Sequence, residues 1–118
     1  METYGYLIDK LNAYDLAYLH FVEGATAGSR ELPEGIDLDA LRALFKGPYI
    51  GNNGYELELA VERRDAGLVE VVAFGRPFIA NPDLVERLKA GIPQAESTRD
   101  DYYGGGAKGY TDWPTAAS

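Results

Sequence analysis

Apolar and polar positions alternate in blocks along this chain, and the blocks are of two kinds. Leu16 to Val22 is a short, nearly continuous apolar run, the pattern of a strand covered on both faces. A polar, glycine-containing stretch from Glu23 to Gly35 follows. Asp37 then stands where it can cap a helix whose inward stripe is Leu38, Leu41, Leu44 and Phe45, with Gly47 placed to close it. Pro48-Tyr49-Ile50 predicts a second strand running into the loop Gly51-Asn52-Asn53-Gly54. Glu56 to Ala66 reads as a helix burying Leu57, Ala60 and Val61, with Gly67 after its end. Leu68 to Phe74 is a third strand, stopped by Gly75-Arg76-Pro77. The next helix has Asn81 as N-cap, Pro82 in its first position and Asp83 against the helix dipole. Leu84, Val85 and Leu88 point inward, Arg87 and Lys89 occupy the last turn, and Gly91 ends it. An amphipathic segment from Tyr4 to Leu11 precedes the first strand.

This order, helix and strand in strict alternation, predicts an α/β fold with parallel strands and right-handed crossovers. Three strands make either a small open sheet with two edges or part of a closed barrel. A whole (β/α)8 barrel takes about 250 residues, and the sequence has 118. After Pro93 the periodicity stops. The tail, residues 94–118, holds Gly104-Gly105-Gly106 and four aromatic residues, Tyr102, Tyr103, Tyr110 and Trp113, which either pack the tail or meet a ligand.

Composition narrows the function. With 46% hydrophobic and 25% charged residues the chain reads as globular. Its formal charge of −8 argues against nucleic-acid binding, which needs cations against phosphates. The absence of cysteine excludes disulfides, thiolate metal sites and a cysteine nucleophile. No apolar run is long enough to span a bilayer. Met1-Glu2-Thr3-Tyr4 lacks the basic and apolar regions of a signal peptide, so a cytoplasmic location is expected.

An anion site, if present, must be local. Gly51 to Gly54 after the second strand lets backbone amides approach an anion just before a helix begins. Gly75-Arg76 after the third adds a permanently charged fork that matches phosphate. Each also has a bland reading, since Asn-Asn-Gly is a common turn and an arginine after a strand is commonly an ion-pair partner. Their position after consecutive parallel strands makes them support each other. His20, the only histidine, lies in an apolar strand and reads as a packed residue, not a base or metal ligand. Asp100-Asp101 and Glu62-Arg63-Arg64-Asp65 read as solvated charge runs.

Three segments carry a resemblance. Ala73-Phe74-Gly75-Arg76-Pro77-Phe78-Ile79-Ala80-Asn81-Pro82-Asp83-Leu84 resembles the region around strand eight of the old yellow enzyme family. Tyr102-Tyr103-Gly104-Gly105-Gly106-Ala107-Lys108-Gly109-Tyr110-Thr111-Asp112-Trp113-Pro114 resembles that family's C-terminal motif, with tryptophan at 113 where tyrosine is expected. Leu16 to Glu23 is similar to its sixth strand. The resemblance implies the last three βα units of a (β/α)8 barrel over residues 1–93 and a tail, 94–118, packing over the barrel mouth. It implies an FMN-dependent oxidoreductase using NAD(P)H to reduce activated C=C bonds, in enones, enoates and nitroalkenes. Asn53, Gly54, Gly75 and Arg76 would bind the FMN phosphate, Tyr102 would lie near the flavin ring, and Tyr103 would contact substrate. Asn52-Asn53 replaces the small residues common before the glycine after strand seven. No catalytic residue and no metal ligand is expected in this stretch. Activity would need the N-terminal strands of the barrel as partner. The alternatives are a non-catalytic half-barrel that self-associates or binds a phosphorylated ligand, and a small independent phosphate-binding domain.

Overall fold

Three parallel strands lie side by side in chain order, β1 (Leu19–Val22), β2 (Tyr49–Asn52) and β3 (Val71–Ala73). The computed structural model describes residues 1–27 and 29–117. It divides into two compact units, Met1–Ala73 and Phe74–Ser118.

In the first unit, α1 (Glu2–Leu11) leads to β1, α2 (Leu38–Leu44) connects β1 to β2, and α3 (Leu57–Asp65) connects β2 to β3. Asp37 caps α2 as predicted, accepting from the Ala40 amide at 3.0 Å. Ile8 of α1 and Leu41 and Phe45 from α2 and its end form the core, packed on Leu19, Phe21 and Ile36. Phe21 stacks on Tyr49 with ring centroids 6.2 Å apart. Arg42 of α2 bridges to Glu70, whose carboxylate also accepts from the Tyr49 amide at 2.6 Å. The helix is thereby tied to the start of β2.

Register moves the predicted strand limits. β1 begins only at Leu19, because its partner begins at Tyr49. β2 runs on through Gly51 and Asn52, expected to be loop, because these two residues pair on both sides, with Phe21 and Val22 of β1 and with Val72 and Ala73 of β3. Within this chain the helices cover one face of the sheet. Leu19, Phe21 and Tyr49 lie under the helices. Alternation puts His20, Val22, Ile50, Asn52, Val71 and Ala73 on the other face, where His20, Val22 and Val71 are exposed. His20 is exposed within this chain, and its Nε2 lies 3.1 Å from Asn52 Nδ2.

The inward stripe expected of α3 is also corrected. Leu57 and Val61 are exposed, and the sheltered residues are Leu59, Ala60 and Arg63. Arg63 belongs to no solvated run, since it pairs with Asp39 at 2.6 Å. α2 ends at Leu44, short of Gly47. A side chain at 47 would stand 2.9 Å from the Phe45 ring, so this glycine serves packing instead of helix closure.

The second unit holds α4 (Arg76–Ala80), α5 (Leu84–Ala90) and the tail. Asn81 is no N-cap. It is fully buried, donates from Nδ2 to the Pro77 and Ala95 carbonyls and accepts from the Ala95 amide. A buried amide needs such partners, and these join α4 to the start of the tail. Leu84 is buried but Val85 is exposed, because α5 turns Arg87 inward to hold Asp83 and the Pro93 carbonyl. Asp83 also accepts from the Ala116 amide at 2.7 Å. That bond and the Arg87 guanidinium hold its carboxyl below the ordinary carboxylate range. Asp101 is likewise no solvated charge, since it accepts from the amide and hydroxyl of Thr98 around a 3-10 turn at Arg99–Asp101. Among the described residues no helix is long and apolar enough to cross a membrane, and no cluster suited to a metal ion occurs.

Candidate functional site

The C-terminal ends of parallel strands are where α/β folds place their chemistry. In the first unit the end of β1 continues into Glu23, whose amide donates to Asn52 O and extends the ladder by one step. Glu23 is 0% exposed. A buried carboxylate is costly unless paired and hydrogen-bonded, and here three side chains converge on it. Tyr49 and Tyr55 donate their hydroxyls to Oε1, each at 3.1 Å, and Tyr55 also reaches Oε2 at 3.0 Å. Arg30 Nη2 donates to Oε2 at 2.7 Å, with its guanidinium 4.5 Å from the centre of the Tyr55 ring. Burial, the Glu23 charge and the hydrogen bond to it all push the phenols of Tyr49 and Tyr55 above their ordinary range.

This cluster reaches directly into the loop after β2. Arg30 Nη1 donates to Asn53 O at 2.6 Å. Asn53 Nδ2 donates to Glu23 O at 2.5 Å and to Ser29 O at 2.7 Å. Its amide donates to Asn52 Oδ1 at 2.6 Å. Asn53 has φ +86°, in the left-handed region that few non-glycine residues adopt. Two glycines permit the arrangement. A Cβ on Gly51 would stand 2.6 Å from Tyr55 Oη, and one on Gly24 would stand 2.6 Å from the Arg30 Cα. The Asn53 side chain is thus engaged with the β1 loop, and the exposed part of the turn is Gly54.

In the second unit Gly75 precedes α4 and has open space where a side chain would begin, with nothing within 4 Å. Arg76, the first residue of α4, is exposed, and among the described residues its guanidinium makes no ion pair. An open glycine followed by an uncommitted guanidinium suits a phosphate.

In the tail, Tyr102 is half-buried, with its hydroxyl 3.5 Å from Ser97 O and its ring edge-on to Tyr103 at 6.5 Å. Tyr103 is 88% exposed and Tyr110 84% within this chain. Trp113 packs the tail, donating from Nε1 to Gly109 O at 2.9 Å.

Sequence reasoning did not single out Glu23, Arg30, Tyr49 and Tyr55 as a group. One signal was present, a carboxylate directly after an apolar strand. Its three partners lie 7, 26 and 32 residues away, beyond the reach of local pattern.

Comparison with known proteins gives this geometry its context. 12-Oxophytodienoate reductase 2 of Arabidopsis thaliana is 33% identical over 115 residues, covering 96% of this chain and 31% of that protein. A structure of morphinone reductase superposes with TM-score 0.84 at 42% identity, covering 97% of this chain and 30% of that one. The old yellow enzyme from Trypanosoma cruzi superposes with TM-score 0.85 at 36% identity, covering 98% and 30%. The chain spans about 30% of the length of these relatives. Its parallel strands and helices correspond to part of their (β/α)8 barrels. Residues 3–95 match the NADH:flavin oxidoreductase / NADH oxidase family, and the chain belongs to that family, in its old yellow enzyme branch.

Proposed function

We propose that this chain supplies the FMN phosphate site of an NAD(P)H-dependent ene-reductase. The observation that carries the reading is Arg76, a guanidinium exposed and without an ion pair among the described residues, following the last strand of a chain in a flavin oxidoreductase family. Arg76 donates a charge-assisted fork to the phosphate, and Gly75 leaves room for the anion to approach. Gly54 offers backbone at the turn after β2, and Asn53 contributes by fixing that turn. Held there, FMN reduced by NAD(P)H would supply the hydride for an alkene activated by a carbonyl, carboxyl or nitro group. Tyr102 lies near the flavin ring and Tyr103, exposed, presents its ring and hydroxyl to that substrate.

The rest of the barrel is required as partner. The sheet has β1 and β3 as its edges, and an exposed face bearing Val22 and Val71. Such edges and faces are what neighbouring strands and a barrel interior cover.

The reading is tested by titrating FMN into the apo form of the protein with Arg76→Ala. A charge-assisted bond contributes roughly 1.5–3 kcal/mol, so FMN affinity should fall about 10- to 100-fold. Arg76→Lys should recover part of it, because an ammonium lacks the fork. Unchanged affinity in Arg76→Ala removes Arg76 from the site.

A further inference from the structure

Glu23 lies at the end of β1, touches no exposed surface, and has no part in the site proposed above. Yet it is the hub of the bonds that shape the Asn53 turn. Its backbone carbonyl holds the Asn53 side chain. Its carboxylate holds Arg30, and the same guanidinium, through its other nitrogen, holds the Asn53 carbonyl. Tyr49 and Tyr55 also donate to the carboxylate. Asn53 is thus gripped at its amide side chain and its carbonyl, in a backbone conformation it would rarely keep unaided.

We infer that Glu23 and Arg30 are positioning residues for the flavin phosphate, acting as a buried charge clamp that sets the Asn53-Gly54 turn. The inference rests on the phosphate-site reading. A fold-stabilising ion pair would need only the Glu23–Arg30 contact. The second arm of Arg30, at 2.6 Å from Asn53 O, spends a charged donor on the backbone of the turn itself. Neither residue touches the phosphate. The charge of Glu23 keeps Arg30 drawn toward the interior, and Arg30 keeps the turn in the form that offers Gly54 outward.

The test compares two flavins on the protein with its complete barrel, FMN and riboflavin, which share a ring and ribityl chain and differ by the phosphate. Glu23→Gln preserves shape while removing the charge on which Arg30 is seated. It should weaken FMN on the order of tenfold, with riboflavin changed less than about twofold and turnover at saturating FMN retained. Arg30→Lys keeps a cation that cannot hold the carboxylate and the Asn53 carbonyl in one planar fork, and should give a smaller loss of the same selectivity. If Glu23→Gln does not fold, Arg30→Lys carries the same comparison. An equal loss for both flavins makes the cluster merely structural and overturns the inference, as does unchanged FMN affinity. Arg76→Ala measured alongside separates the two levels. Selective FMN loss there, without it in Glu23→Gln, defeats the clamp and leaves the phosphate site standing. Selective loss in neither defeats both.

Discussion

Asn53-Gly54 follows β2 and Gly75-Arg76 follows β3 by one residue, but the two segments are built in opposite ways. Asn53 is held by its side chain, its amide and its carbonyl, all within a lattice that ends on a buried carboxylate. Gly75 has empty space around it, and Arg76 is exposed and without an ion pair among the described residues. One segment spends its polar groups on its own shape. The other keeps its charge available. The two serve different ends: backbone donors are useful only when preorganised, whereas a guanidinium brings net charge and must not be spent elsewhere.

The contrast is broken most severely at its ends. Glu23→Ala strands Arg30 and two tyrosyl hydroxyls, and breaking a buried pair costs about 3–5 kcal/mol. Arg76→Ala, at an exposed position, should change stability by no more than about 0.5 kcal/mol. Urea unfolding of both variants checks this, and comparable losses would erase the distinction. The glycines give the next largest contrast. Gly51→Ala drives a Cβ to 2.6 Å from Tyr55 Oη and 3.0 Å from Val69 Cγ1, so overpacking of about 1–3 kcal/mol is expected. Gly75→Ala meets nothing within 4 Å at φ −91° and should be near neutral in the same measurement.

Alkaline pH offers a smaller probe of the braced segment. Tyr49 and Tyr55 have phenols raised above the ordinary value of 10.0, burial being the largest cause, so the folded state holds their protons where the unfolded chain releases them. Their contribution is full below pH 10 and is lost as pH rises above it. Stability measured from pH 9 upward should fall, and Tyr49→Phe or Tyr55→Phe should flatten the fall. An unchanged slope in both variants would dissociate these phenols from the buried carboxylate. The smallest effect belongs to the tail. Tyr103→Phe should leave stability and FMN retention unchanged, as its exposure implies. It should alter only the alkene half-reaction, by the roughly 0.5–1.5 kcal/mol of one neutral hydrogen bond. Stopped-flow separation of the two half-reactions reads this, and a silent variant removes Tyr103 from the substrate.

Much of the fold was legible before any coordinates. Parallel α/β order follows from the alternation of short apolar runs with amphipathic segments, and the Asp37 cap from a side chain acting three residues away. Contacts of that kind are local, so a linear pattern records them. The resemblance in 73–84 and 102–114 pointed to the family for the same reason, since each motif is contiguous. Asn81 shows the limit. In sequence, Asn-Pro-Asp is a helix start, and in the structure its amide is consumed by Ala95, fourteen residues on. The inclusion of Gly51-Asn52 in β2 could not be read either, because a strand's length is fixed by its partners' register.

The sequence by itself determined the order of elements, the parallel sheet, the family and the place of an arginine after the third strand. Only the tertiary structure decided what holds the turn at Asn53. Glu23, Arg30, Tyr49 and Tyr55 come from separate segments of the first unit, and each has an ordinary solvated reading where it stands in the chain. Their meaning comes from desolvation, which makes a carboxylate bind every donor within reach, and burial is a property of the packed chain.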